Sequence, residues 1–346
     1  TKTITLTKFL DMHLHLREDT MLSHVLPYSA AYCSHAIVMP NLASAVKRAI
    51  DVRAYREAIE SELLTISERP NFTPLLTAAL QDDSEVPHVL GAVGEGVQGF
   101  KVYPLGVTTN STNGLRSFFA PGISKVFSCL QEIDKPILFH GEIDLPGKLA
   151  TEREEAFLPI FYKLNKLYPK LRMIFEHVTT RRVVDAINND FGDNVAATVA
   201  PHHLVLTLND VIGDGTNPHN MCMPVPKSFD DRTALVETVT SGNPKFFFGS
   251  DSAPHARVYK ESIKGACGIF SAPIVPEVLA TVFDSVEALE KLKDFTSTFA
   301  SRFYRISLPS KPETITLVKK EWEVPLEYNG IVPLLTGEKL QWQRVS

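Results

Sequence analysis

Two imidazoles and a guanidinium fall at alternate positions of one heptapeptide, Asp11-Met12-His13-Leu14-His15-Leu16-Arg17. On a β-strand, alternate side chains share a face. Asp11, His13, His15 and Arg17 are then expected to point one way, and Met12, Leu14 and Leu16 the other way, into apolar packing. Two neutral imidazoles two residues apart at a strand end can grip one metal ion, because imidazole nitrogen suits zinc and its neighbours. Alone, the pair reads as readily as two surface histidines on an edge strand. What changes the balance is the company it keeps along the chain.

Further donors are His140 in Phe139-His140-Gly141-Glu142, His177 after Glu176, and Asp251 in Gly249-Ser250-Asp251-Ser252-Ala253-Pro254-His255. Each has an ordinary reading by itself: a hydrogen-bonded core histidine, or for Asp251 a helix cap or Asx turn. Lys101, in Gly99-Phe100-Lys101-Val102-Tyr103-Pro104, is the odd member. A lysine in an apolar strand usually snorkels or pairs with an acid, and its ammonium repels a cation. Carbon dioxide added to the neutral amine reverses that. The resulting N6-carboxylysine carries a carboxylate able to bridge two ions about 3.5–4 Å apart, the spacing of bimetal hydrolytic sites.

The elements that must hold these residues are short apolar runs alternating with helical patterns. The runs are Phe9–Leu16, His35–Pro40, Phe72–Ala79, Gly99–Tyr103, Pro136–His140, Arg172–His177, Val195–Pro201 and Lys245–Gly249. They read as buried parallel strands. Helical patterns cover Lys47–Leu64, Ser124–Ile133, Glu152–Leu167, Thr180–Asn188 and Asp230–Thr240, with further helices at Val282–Leu292 and Phe295–Phe303. The link between the third and fourth runs is short, so no helix is counted there. Eight such units predict a (β/α)8 TIM barrel. From Ser307 the texture changes, and residues 307–346, with a strand at 314–318, read as a C-terminal strand-and-loop appendage to a single domain spanning 1–346. Barrel active sites lie at the C-terminal ends of the strands. The donors fall at the ends of the first, fourth, fifth, sixth and eighth runs, a placement that scattered histidines would not produce.

Composition narrows the function classes. The 346 residues are 44% hydrophobic and 22% charged, and a net charge of -5 argues against a nucleic-acid partner. No run of about 18 apolar residues suggests a membrane span. The first residues lack the apolar stretch of a signal peptide. Cys33, Cys129, Cys222 and Cys267 are scattered with no Cys-x-x-Cys pair, as in a cytoplasmic protein with reduced thiols.

The heptapeptide, Met39-Pro40-Asn41, Lys101-Val102-Tyr103-Pro104 with Thr108-Thr109-Asn110-Ser111, Phe139-His140-Gly141-Glu142 and the 249–255 segment together resemble the dihydroorotases of the amidohydrolase superfamily, in their compact single-function form. The resemblance implies reversible cyclisation of N-carbamoyl-L-aspartate to L-dihydroorotate in pyrimidine biosynthesis. It implies two zinc or other divalent ions: one on His13, His15 and Asp251, the other on His140 and His177. Carboxylated Lys101 and a hydroxide would bridge them, with Asp251 as general acid and base. Arg17, Asn41 and His255 would bind the substrate carboxylate, His140 would also meet substrate, and backbone near Met223 and Cys267 would read the ring. Thr108 and Thr109 would sit on a lid, and a homodimer is implied. His202 and His203, near the end of the seventh run, stand outside the pattern, with a supporting role as open as none. Two other readings are a dihydropyrimidinase- or allantoinase-like hydrolase, and a metal-free structural homologue. The first would need a longer segment before His13 to build half of a β-sandwich. The second would be expected to have lost ligands.

Overall fold

The computed structural model describes residues 2–107 and 113–345. Strand β1 (Thr3–Thr7) lies ahead of the barrel. The barrel strands are β2 (Phe9–Leu14), β3 (Cys33–Val38), β4 (Thr73–Leu80), β5 (Gly99–Val102), β6 (Ile137–His140), β7 (Met173–Glu176), β8 (Val195–Val199) and β9 (Phe246–Phe248). They form one parallel sheet in chain order. Closure falls just past β9: Leu14 bridges Ser252, Asp251 N–H donates to His13 O at 2.8 Å, and His15 N–H donates to Ser252 O at 3.1 Å. All eight apolar runs are therefore strands of a (β/α)8 barrel.

Period-two alternation explains how the strands divide their side chains. Phe100, Val102, Phe139, Phe175 and Phe248 belong to the larger cluster between sheet and helices. Leu10, Met12, Ile37, Leu138, Ile174 and Phe247 fill a second cluster inside the barrel. Phe299 and Tyr304 join that inner cluster. Their helix sits at the N-terminal mouth, where Gln98 and Arg172, each just ahead of a strand, donate to the carbonyls of Tyr304 and Phe303. The mouth opposite is left for chemistry. Lys101 lies between outward-facing Phe100 and Val102, so its side chain faces the interior.

Several expectations need correction. Met12, Leu14 and Leu16 do not share a face: Met12 packs inside the barrel, whereas Leu14 and Leu16 join the outer cluster. The β2–β3 register shifts between Asp11 and Leu14, and such an irregularity flips the alternation. A helix does occupy Val86–Gly94, between the third and fourth barrel strands, entered through Pro87 in its first turn. A helix at Asp19–Tyr32, interrupted in pattern by Pro27, was not anticipated. The expected Val282–Leu292 helix instead runs Val275–Ser285, followed by a 3-10 turn at Leu289–Lys291.

The tail packs on the barrel as the expected strand-and-loop appendage, and its first strand runs on past residue 318. β10 (Thr314–Glu323) pairs antiparallel with both β1 and β11 (Lys339–Arg344), giving a three-stranded sheet built from both ends of the chain. Asp284, on the helix Val275–Ser285, ties it down, accepting hydrogen bonds from Lys2 Nζ at 2.9 Å, Lys319 Nζ at 2.6 Å and Trp342 Nε1 at 3.2 Å.

Candidate active site

One cavity at the C-terminal mouth is lined by His13, His15, Arg17, Asn41, Tyr103, His140, His177, Met223, Asp251 and Cys267, among others. Residues from distant parts of the chain converge there because each lies at or just beyond a strand end. His177, Asp251 and Arg17 all take positive φ, at 39°, 45° and 58°. Non-glycine residues seldom occupy this region, and it clusters where function constrains the backbone. Gly249 lets β9 close beside β2: a Cβ there would lie 2.9 Å from His13 Cβ.

His13, His15 and Asp251 bring ligand atoms within 4.8 Å of one another. Asp251 Oδ1 lies 3.4 Å from His13 Nε2 and 3.3 Å from His15 Nε2. On the other side, His140 Nδ1 lies 3.2 Å from His177 Nε2. Lys101 Nζ is wholly buried without a hydrogen-bond partner, 4.9 Å from the centre of the Tyr103 ring. Burial lowers its pKa to about 8, against the opposing pull of Glu176 and Asp251, which enlarges the neutral amine fraction. Burial and neighbouring cations also push His13, His15 and His177 well below the usual imidazole range, leaving them neutral and able to act as ligands. Neutral nitrogens, a carboxylate and a buried amine with a partly neutral population make a donor set that fits divalent ions.

The structure also supplies contacts that the sequence reading did not assign, some of them through Glu142, Glu176 and Thr198, residues given no role there. His13 Nδ1 meets Glu176 Oε2 at 2.5 Å, His15 Nδ1 meets Asn41 Oδ1 at 2.8 Å, and His140 Nε2 meets Glu142 Oε2 at 2.7 Å. Oxygen acceptors behind metal-ligating histidines fix ring orientation and tautomer. Asn41 thus both faces the cavity and orients a ligand. Thr198 Oγ1 donates to Glu176 Oε2 at 2.7 Å and accepts from His177 N–H at 2.8 Å. The available signal was adjacency: Glu142 and Glu176 each lie within two residues of a candidate ligand.

Arg17 leans toward His255, with Nη2 3.1 Å from His255 Nε2, and its Nε donates to Pro254 O at 3.1 Å. His255 Nε2 also lies 3.1 Å from Cys267 O. Arg17, Asn41 and His255 border an outer vestibule that shares Arg17 and Asn41 with the inner cavity. Met223 and Cys267 are among the residues that line the inner wall. Thr108 and Thr109 lie outside the described residues.

A closed parallel barrel with paired histidines, a buried lysine and a terminal aspartate at its C-terminal mouth is the architecture of an amidohydrolase. No family model matches the chain. A dihydroorotase of Synechocystis is 38% identical over 99% of both chains. Among solved structures, a dihydroorotase from Campylobacter jejuni superposes with a TM-score of 0.90 at 36% identity, covering 99% of this chain and 98% of that one. A dihydroorotase from Saccharomyces cerevisiae, in complex with 5-fluoroorotic acid, gives 0.88 at 34% identity, covering 100% and 99%. The chain belongs to the dihydroorotase family, and so to the hydrolases that act on cyclic amides.

Proposed function

We propose that this cavity carries out the reversible cyclisation of N-carbamoyl-L-aspartate to L-dihydroorotate, a step of pyrimidine biosynthesis. The observation that supports the reading is that one cavity is lined by His13, His15, His140, His177 and Asp251 together with Arg17 and Asn41. His13, His15 and Asp251 would hold one ion, His140 and His177 the other, and carbamylated Lys101 would bridge them. Two bound divalent ions supply an activated water and polarise the attacked carbonyl.

The remaining work falls to side chains. Arg17 offers a planar fork matched to the ring carboxylate, with Asn41 and His255 beside it. Asp251 takes a proton from the attacking water and returns it to the ring nitrogen that leaves, as one acid/base group must in both directions. Burial raises its pKa above the ordinary carboxylate range, which favours its holding the proton in transit. Met223 and Cys267 would meet the ring through backbone groups. Thr108 and Thr109 are proposed, from the family resemblance, to add hydroxyls over the substrate.

A cytoplasmic, reducing compartment is supported by cysteines that are all free. No helix among the described residues is long and apolar enough to cross a membrane. A homodimer is the family expectation. Residues 1–346 are taken as one metal-dependent unit, because β10 and β11 pair with β1 and dock on a barrel helix. The deciding experiment assays both directions with carbamoyl aspartate and dihydroorotate, with hydantoin and allantoin as controls. Turnover of a control in preference to dihydroorotate would overturn the assignment in favour of a dihydropyrimidinase- or allantoinase-like enzyme. A chain that retained no metal would favour the structural homologue.

A further inference from the structure

Beyond β8 the chain enters a short helix at Pro201–Val205, whose first turn carries two adjacent histidines. His202 and His203 are buried, at 0% and 2% exposure, and none of their four ring nitrogens has a hydrogen-bond partner among the described residues. Buried polar groups are expensive to leave unpaired, so four in one place call for an occupant. Cys222, 1% exposed, completes the group: ligand atoms of His202, His203 and Cys222 lie within 4.8 Å of one another.

We propose that His202, His203 and Cys222 form a third cation site, separate from the bimetal donor set, that takes a borderline-soft ion of the zinc class. Two imidazoles and a thiolate select such ions over magnesium or calcium. Bonds of about 2.0–2.3 Å place neighbouring ligands roughly 3.3–3.8 Å apart, so small side-chain rotations close the group around an ion. Both imidazoles are fully enclosed, and burial disfavours their charged form, leaving nitrogen lone pairs for an ion. Binding displaces the thiol proton of Cys222 to solvent, leaving a sulfur–metal bond. Burial holds the Cys222 thiol well above its ordinary range, and the nearby Lys260 and Lys227 offset this only in part, so the bound ion itself has to displace the proton. Both lysines direct their ammonium groups to backbone carbonyls: Lys227 to Val225 O, Lys260 to Met221 O and Gly268 O. An entry path exists because Cys222 also lines the active-site cavity.

The two sites are linked through one side chain. His202 Nε2 faces Asp251 Oδ2 at 3.7 Å. Ligation through Nδ1 would leave the Nε2–H toward that carboxylate, the arrangement in which a histidine joins a metal to an acid. Filling the third site would then restrain Asp251.

The test is cobalt substitution of the full-length enzyme. The bimetal donors are nitrogen and oxygen only, so a sulfur-to-cobalt charge-transfer band in the near ultraviolet reports thiolate ligation. The expected result is a third tightly bound equivalent, appearing with that band, and loss of both in Cys222→Ser but not in Cys267→Ser. Should Cys222→Ser fail to fold, zinc-edge X-ray absorption of the unmodified, fully loaded enzyme replaces it, with sulfur expected at about 2.3 Å. Absence of a third equivalent, absence of sulfur scattering, or a band that survives Cys222→Ser overturns the proposal. None of these readouts depends on which amide the enzyme turns over, so they fail or succeed apart from the reaction proposed above.

Discussion

Glu176, on β7, reaches across the barrel interior to His13 on β2, with Oε2 2.5 Å from Nδ1. The strands are not neighbours in the sheet, so this contact is made through the barrel lumen. Burial raises the Glu176 pKa to about 7, partly offset by Lys101 and the Thr198 hydroxyl. An acid so placed fixes His13 with Nε2 toward Asp251. Glu176→Gln is expected to weaken metal binding by about 10–100-fold, the range for losing such a partner. Competition with a chelator measures it, and unchanged affinity would show that His13 is held by other means.

Lys101→Ala removes the only amine in the ligand group and should abolish nearly all turnover. Small carboxylates added in solution should restore part of it by standing in for the carbamate. Activity in Lys101→Ala without any added acid would reject the bridging role. Lys101→Arg should be as inactive as Lys101→Ala, because a guanidinium forms no carbamate under ordinary conditions.

Arg17→Met tests the carboxylate clamp. Losing one charge-assisted contact costs about 1.5–3 kcal/mol, roughly a 10- to 150-fold drop in kcat/KM for dihydroorotate. Its carboxamide analogue should be little affected, because it never used the charge. An equal loss for both compounds would place Arg17 in some other role.

The two directions should respond oppositely to pH. Hydrolysis needs Asp251 ionised to accept a proton, so its rate rises as pH rises through the pKa of the coupled site. Cyclisation needs the proton in place, so its rate falls over the same range. Burial raises the Asp251 pKa, moving this crossover upward from the ordinary carboxylate range. Asp251→Asn should lose both directions together. Loss of only one would reveal a separate acid.

The Asp284 tie gives a stability prediction with a defined sign. Hydrogen bonds, first from Lys319 and then from Lys2 and Trp342, hold this carboxyl down from 3.8 to about 2. A depressed folded-state pKa contributes stability above the unfolded value and loses it as pH falls through the folded one. Asp284→Asn should therefore lower the unfolding midpoint at neutral pH, and the gap to the parent should close between pH 3.8 and about 2. Denaturant titrations at several pH values check it. A gap that stays constant into acid would mean that the tie is not ionic.

The barrel was legible because hydrophobic periodicity is strong where strands are buried on both faces, and Phe100, Phe139 and Phe175 mark it plainly. Asp251 and the four histidines were legible because strand ends are where a barrel assembles chemistry. What escaped the sequence was non-local. Nothing local shows that Glu176 reaches His13, or that Asn41 turns its oxygen to His15, since these contacts join different strands. The β2 irregularity escaped because a register shift leaves composition unchanged. β1 was passed over because Thr3–Thr7 has no partner nearer than β10.

That last pairing has a consequence for how the chain is made. Thr3 aligns with Val318, and Thr7 with Thr314. A ribosome releases β1 early, then synthesises the whole barrel before the partner strand emerges. Through that interval β1 carries unpaired backbone groups, a template for another chain. Non-local pairing of this kind forms late and prolongs exposure. A pairing between strands this far apart in the sequence therefore sets a vulnerable period in the protein's birth, and a nascent chain halted before Thr314 would keep that adhesive edge open.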